Sequence, residues 1–246
     1  MPTHTKIDWT EISWNPSTGC SKMSEGCAHC YAERFAIRLH KMGNPKHKNE
    51  FKVTLHPDLI NVPLQWKKPA VIFVNSMSDL FHEEIPENFI ANVFNTMNRA
   101  YWHIFQVLTK RSERLKELAS RIVWTPNIWM GVTVELEKYY YRIEHLSSTP
   151  AMVKFISLEP MLGPMPNLPL DDVDWVIVGG ESGPKARKMN KYWVYDVMAQ
   201  CRKAKVPFFF KQWGGNTKNK GGKLIGGKVY HEYPSEIKHL QRKGGV

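Results

Sequence analysis

Six short apolar runs, four of them leading into a stretch with helical periodicity, set the main limit on what this chain folds into. They are residues 70–75, 102–109, 127–134, 152–158, 174–178 and 207–211. Nearly continuous apolar character over so few residues marks strands covered on both faces, the habit of parallel sheets. Between them, Ile90, Val93, Phe94 and Met97 share one helical face, with Pro86 near the helix start. Leu115, Leu118, Ala119 and Ile122 share a second, which Ser112 is expected to cap. Leu136, Tyr139, Tyr140 and Ile143 share a third. Val194, Val197, Met198 and Cys201 share a fourth, behind an Asn190 cap. Strand–helix alternation of this kind builds one parallel sheet with right-handed crossovers. With a further strand expected at residues 12–14, the reading is an α/β fold: a partial parallel (β/α) barrel of six to seven strands, TIM-barrel-like. No GxGxxG turn is present, which favours a barrel over an open doubly wound sheet.

The barrel is expected over residues 1–213, since a chain of 246 residues can bury one large core. Residues 214–246 break the pattern. GGNTKNKGGKLIGGK is rich in Gly and Lys and reads as a loop or hairpin extension without a core of its own. Its Lys218, Lys220, Lys223 and Lys228 are candidate phosphate contacts, or else a solvated tail. No apolar run reaches the roughly 18 residues that span a bilayer, and the first residues lack a secretory apolar stretch. A cytoplasmic protein with no membrane partner is expected. Lys and Arg exceed Asp and Glu by 11, which favours a polyanionic partner, nucleic acid first.

Cys20, Cys27 and Cys30 lie in one segment, WNPSTGCSKMSEGCAHCYAER, and the only other cysteine is Cys201. Three soft sulfur ligands at C-x6-C-x2-C spacing suit an iron–sulfur cluster or zinc. A structural zinc needs a fourth ligand, and no second cysteine pair supplies one. A cluster held by three thiolates with one iron open explains the cysteines better, and a Cys27–Cys30 disulfide is the plain alternative. A helix starts directly at Cys30, with Ala32, Phe35, Ala36 and Leu39 on its inner face. Cys201 reads as core packing.

Polar residues recur at the carboxyl ends of the expected strands: Asn75 and Ser76, Thr109 and Lys110, Thr133 and Glu135, Ser157 and Glu159, Glu181, then Lys211 and Gln212. In a parallel barrel these ends share the face that carries active sites. Asp79 and His82, in NSMSDLFHEE, suit either a ligand or a capped, solvated loop. In VGGESG the glycines allow close backbone approach to a ligand, while the Lys-Ser/Thr ending of a P-loop is absent. Lys211 and Trp213 would offer a cation and an aromatic face to a base, or else Trp213 packs on the barrel rim.

The segments WTEISWNPSTGC, GCAHCYAERFA, NSMSDLFHEEIP, QVLTKRSERL, GVTVE, FISLEPMLGP, VIVGGESG and FFFKQWGG, in that order, resemble a bacterial and phage-encoded three-cysteine family. It is grouped with radical S-adenosylmethionine proteins, near spore photoproduct lyase and similar DNA-repair-lyase-like proteins. The resemblance covers residues 7 to about 233. It implies a [4Fe-4S] cluster on Cys20, Cys27 and Cys30, with S-adenosyl-L-methionine chelating the fourth iron. It implies a radical SAM enzyme, a lyase or modifying enzyme that generates a 5′-deoxyadenosyl radical, with flavodoxin or ferredoxin as electron donor. Asn75 and Ser76 would hold the methionyl amine, and Thr133 and Glu135 would meet the ribose. Tyr31, Ser157 and Glu159 are further cofactor candidates, and Glu181 and Lys211 are the catalytic candidates. The first cysteine gap here is six residues, where the commonest radical-SAM spacing has three.

Repair or modification of a nucleic acid or nucleotide is the expected reaction. The rival from another class is a non-catalytic nucleic-acid-binding protein stabilised by an iron–sulfur cluster or zinc.

Overall fold

The computed structural model describes residues 5–216 and 221–237. Lys218 and Lys220 lie outside the described residues. Strands β1 (Ile12–Trp14), β2 (Ser17–Thr18) and β3 (Thr54–Leu55) come first, with helix α1 (Tyr31–Lys41) between the last two. Then β4 (Val71–Val74), α2 (Glu87–Arg99), β5 (Ile104–Thr109), α3 (Ser112–Leu118), β6 (Ile128–Thr133) and α4 (Tyr141–Ser147) alternate. Strands β7 (Val153–Leu158) and β8 (Trp175–Gly179), helix α5 (Lys191–Ala204) and strand β9 (Phe208–Gln212) complete the set.

Seven strands form one sheet in the order β1-β4-β5-β6-β7-β8-β9, every neighbouring pair parallel. The sheet curls into a partial TIM-like barrel, as the alternation of runs implies. Its strands are short and buried almost throughout, so side-chain alternation separates two apolar clusters. Ile72, Val74, Phe105, Val107, Met130, Val132, Ile156, Val176 and Phe210 join the helix-covered core. The residues between them, with Trp9, form the second cluster, which fills the concave side with Phe73, Trp129, Phe155, Trp175 and Phe209. Trp175 is fully buried and meets Phe155 and Phe209 at 5.8 and 5.9 Å between centroids. Gly131 makes room on the neighbouring strand, since a Cβ there would stand 2.4 Å from the Phe155 ring.

β2 and β3 are not visible in the sequence pattern, yet they matter for the site. They pair antiparallel, Ser17 with Leu55 and Thr18 with Thr54, and so close the excursion that holds the cysteines and α1. After β9, residues 221–237 return along the sheet. Gly226 and Gly227, both at positive φ (55° and 80°), turn a tight hairpin between Ile225 and Lys228. The chain then runs antiparallel beside β9, with Phe210 N donating to Tyr230 O at 2.7 Å and His231 stacked on Phe209 at 4.2 Å. That backbone covers an edge which would otherwise offer unpaired groups.

Three local expectations change. Ser112 is the first residue of α3, not its cap, and its Oγ meets His145 Nδ1 at 3.0 Å instead. Tyr139 belongs to a short 3-10 turn, and α4 begins only at Tyr141. On α1 only Ala32 and Ala36 are buried; Phe35 faces outward, 46% exposed. Asn190 caps α5 as expected, accepting from Tyr192 N at 3.0 Å, and Cys201 is fully buried on that helix. Among the described residues no helix is long and apolar enough to cross a membrane.

Candidate active site

The cysteine loop leaves β2 through Gly19, whose N donates to Met77 O at 2.9 Å. Gly19 sits at φ 86°, and a Cβ there would stand 2.1 Å from Lys52 O, so only glycine fits. From there the loop crosses the carboxyl edge of the sheet and is tied down strand by strand.

After β5, Arg111 reaches it first. This side chain is 4% exposed. Its Nη2 donates to Ser21 Oγ at 2.8 Å and its Nη1 to Cys20 Sγ at 3.4 Å. Asp79, beyond β4, pairs with Arg111 at 3.3 Å, and Glu83 accepts from its Nε at 3.0 Å. Asp79 also accepts from Thr109 Oγ1 at 2.7 Å and from Lys110 N at 3.1 Å. His82, 2% exposed, meets Ser21 Oγ at 2.8 Å. Asp79 and His82 are therefore buried struts under the cysteine loop, not members of a solvated one.

After β6, Glu135 accepts from Ser24 Oγ at 2.6 Å and from Arg142 Nη1 at 2.8 Å. Glu135 and Arg142 are both fully buried, and Lys110 Nζ stands 3.7 Å from the same carboxylate. Gly26 packs directly on Glu135, with space for a Cβ only 2.4 Å from its Oε1. Glu25 accepts from Lys138 Nζ and the Tyr139 hydroxyl, and these two bonds hold its carboxyl down to about 2. After β8, Arg187 donates to Glu25 O at 2.8 Å and to Glu181 Oε1 at 2.5 Å. Burial raises the Glu181 pKa, but the Arg187 bonds outweigh it and the net shift is downward. Arg34, on α1, donates to Ser182 O at 2.9 Å.

Cys20, Cys27 and Cys30 are all free and partly exposed. Desolvation, followed by the Asp79 charge, pushes the Cys20 thiol up to about 12, against the pull of Arg111. Cys30 caps α1, so the loop ends where the helix begins. Among the described residues no group of three His, Cys, Asp or Glu side chains is placed to hold a single metal ion.

The other strand ends lie on the same edge. Asn75 occupies φ 61°, a left-handed conformation rare outside glycine, at 3% exposure. Its Nδ2 donates to Ser17 Oγ at 3.0 Å, while its Oδ1 has no hydrogen-bond partner among the described residues. Ser76 O accepts from the Tyr31 hydroxyl at 2.6 Å. Tyr31 is 51% exposed, yet desolvation and the nearby Cys30 and Glu159 raise its pKa, as expected for a ring standing in a cleft. Thr133 and Ser157 are buried side by side in register. Ser157 Oγ donates to Glu159 at 3.2 Å, and Lys211 Nζ pairs with Glu159 at 2.8 Å across β8. Gly179 on β8 permits that bridge, since a Cβ would stand 2.6 Å from Glu159 Oε1. The next glycine, Gly180, is filled by Trp213 O at 1.9 Å from a notional Cβ. These two glycines serve the chain's own packing. Ser182 Oγ, like Asn75 Oδ1, is buried and without a hydrogen-bond partner among the described residues.

The fold thus gathers Tyr31, Asn75, Ser76, Thr133, Glu135, Ser157, Glu159, Glu181 and Lys211 around the cysteine loop. Arg111, Arg142, Arg187 and Ser24, which hold that loop, were not singled out by the sequence. For Arg111 the one signal is position: it stands two residues past the end of β5, immediately before α3.

A model of the DUF5131 family, described as a protein of unknown function, matches residues 4–234. No curated protein matches the chain. Two solved structures of spore photoproduct lyase are similar in fold. One, a mutant with bound AdoMet and dinucleoside spore photoproduct, aligns at a TM-score of 0.51 and 9% identity, covering 98% of this chain and 74% of that one. The other, complexed with dinucleoside spore photoproduct, aligns at 0.50 and 9% identity over the same shares.

Proposed function

We propose for this chain, which belongs to the DUF5131 family, the function of a radical S-adenosylmethionine enzyme acting on a nucleic acid or nucleotide. The observation that carries the reading is the three-cysteine loop stitched across the carboxyl edge of a partial parallel barrel. That edge is where barrels of this type do chemistry. The two similar lyase structures hold dinucleoside spore photoproduct, and one also holds AdoMet, which supports the same substrate and cofactor classes here.

The donor set suits the implied groups. Three thiols on one loop suit iron: Cys20, Cys27 and Cys30 would hold a cluster of several metals, and so need not converge as ligands of one ion would. When bound, a [4Fe-4S] cluster and S-adenosyl-L-methionine supply one-electron chemistry and hydrogen-atom abstraction. The chain's part is to bind, orient and exclude water. Cys20, Cys27 and Cys30 bind as thiolates, and Arg111 favours the charged form of Cys20 by donating to its sulfur. Asn75 Oδ1 and Ser182 Oγ, which have no hydrogen-bond partner among the described residues, are acceptors open to a cofactor's polar groups. Glu135 acts through the loop: both its oxygens are already engaged, so we move it from ribose contact to positioning. Lys211, ion-paired with Glu159, holds a proton at Nζ facing the interior, and Glu181 keeps Arg187 on the loop. The aromatic plug beneath excludes water from below.

Electron paramagnetic resonance on anaerobically prepared, dithionite-reduced protein tests the reading. A [4Fe-4S] signal that changes on adding S-adenosylmethionine is expected. A cluster signal indifferent to the cofactor would leave only binding or electron transfer, and zinc in place of iron would overturn the proposal.

A further inference from the structure

Helix α1 turns Ala32 and Ala36 inward, where they pack against Met77. The flank about a third of a turn round the helix carries Tyr31, Phe35, Arg38 and Met42, spaced i, i+4, i+7 and i+11 and so in one stripe. Tyr31, Phe35 and Met42 are 51%, 46% and 69% exposed, and Arg38 is exposed too. Scattered surface apolar residues need no explanation, but a contiguous row with a charged rim marks a binding face. The rim here is basic. Lys41 is exposed on the same helix, and Lys46, Lys48 and Lys52 are exposed on the segment that follows. From Lys22 to Lys52 there are seven Lys or Arg and three acidic residues, so about an eighth of the chain holds over a third of its positive excess. Two of those acids are already paired, Glu33 with Lys22 and Glu25 with Lys138.

We propose that a single-stranded nucleic acid lies along this stripe, its bases stacking on Tyr31 and Phe35 and its phosphates following Arg38, Lys41 and the lysines beyond. Aromatic faces alternating with cations are what a strand with unpaired bases requires, whereas a duplex hides its base faces. The stripe leads to the site. α1 starts at the residue after Cys30, and the Tyr31 hydroxyl reaches into the cleft at Ser76. At the α-helical rise its 11 residues run ~16 Å, room for a few nucleotides outside the cleft. The inference deepens the proposed function and rests on it for the strand's role as substrate, but strand binding itself is measurable without the cluster.

Fluorescence anisotropy of a labelled oligothymidine of about 20 nucleotides tests it, with a duplex of equal length and phosphatidylserine-containing vesicles as comparisons. The single strand should bind more tightly than the duplex. Phe35→Ala should weaken binding about 5- to 150-fold without changing the salt slope, and Phe35→Trp should restore it. The double variant Arg38→Gln/Lys41→Gln should flatten the logarithmic salt slope by about 1.4. Lys203→Gln, exposed on α5, should leave both unchanged. Unaltered binding by the α1 variants would overturn the stripe while sparing the nucleic-acid reading. Tighter duplex binding, or binding to vesicles in place of the oligonucleotide, would overturn the single-strand assignment. No binding by the wild-type chain would overturn both the stripe and the nucleic-acid substrate, while leaving the cluster's spectroscopic test standing.

Discussion

In the lower half of the barrel interior, Trp9, Phe73, Trp129, Phe155, Trp175 and Phe209 pack ring against ring. At the carboxyl edge the same sheet carries Asp79–Arg111, Glu135–Arg142, Glu159–Lys211 and Glu181–Arg187. The lower half gains from contact and area, whatever the detailed pairing. The upper half depends on every partner being present, because each buried charge is costly alone. Shape is therefore fixed below and the placement of the cysteine loop above, so damage to the two halves should read out differently.

The sharpest way to break the contrast is Trp175→Ala, expected to cost about 3–5 kcal/mol by urea denaturation. A loss below about 1 kcal/mol would show that the plug is not the structural base. Glu135→Ala should cost about 3 kcal/mol, because it leaves Arg142 buried without its counter-charge. The same change frees Ser24, so the cysteines should alkylate faster, a readout that Trp175→Ala should reach only through global unfolding.

Acid provides a smaller, shared effect. Burial depresses the pKa of His103 in the lower half and of His82 in the upper. Each stays neutral in the fold at pH values where the unfolded chain is already protonated. Their contribution is complete above about pH 6.5 and is lost as pH falls through the lower folded value. His103→Phe should therefore reduce the fall in urea midpoint between about pH 7.5 and 5. Smallest in stability is Cys27→Ala, expected to shift the midpoint by under about 1 kcal/mol while abolishing iron uptake, measured by metal analysis. A large loss of stability would instead make the cysteines structural.

The strands were legible because burial on both faces leaves uninterrupted apolar runs; β7, for example, occupies 153–158 within the expected 152–158. The ribbon β2–β3 was not, since two residues per strand carry no periodicity. The site was legible as a row of polar strand ends, but its clamps were not. A buried arginine looks like any surface charge in a sequence, and Arg111 meets Cys20 from 91 positions away. Phe35 misled for the opposite reason: its spacing fits the core, but α1 needs only two alanines to dock.

Among the described residues the seven-stranded sheet does not close on itself: β1 and β9 are its two ends, and no ladder joins them. Instead, Lys223 pairs with Asp8 at 2.6 Å and the Tyr233 hydroxyl donates to Asp8 O at 3.2 Å. The molecule is in this sense a split ring held by a clasp. A backbone ladder would set the bore of the ring rigidly. A partly exposed ion pair contributes on the order of 1 kcal/mol or less, so the clasp alone does not fix the spacing of the two ends. The ring keeps its bore through the packed interior instead, where Trp9 beside β1 meets Trp175 at 6.3 Å across the split.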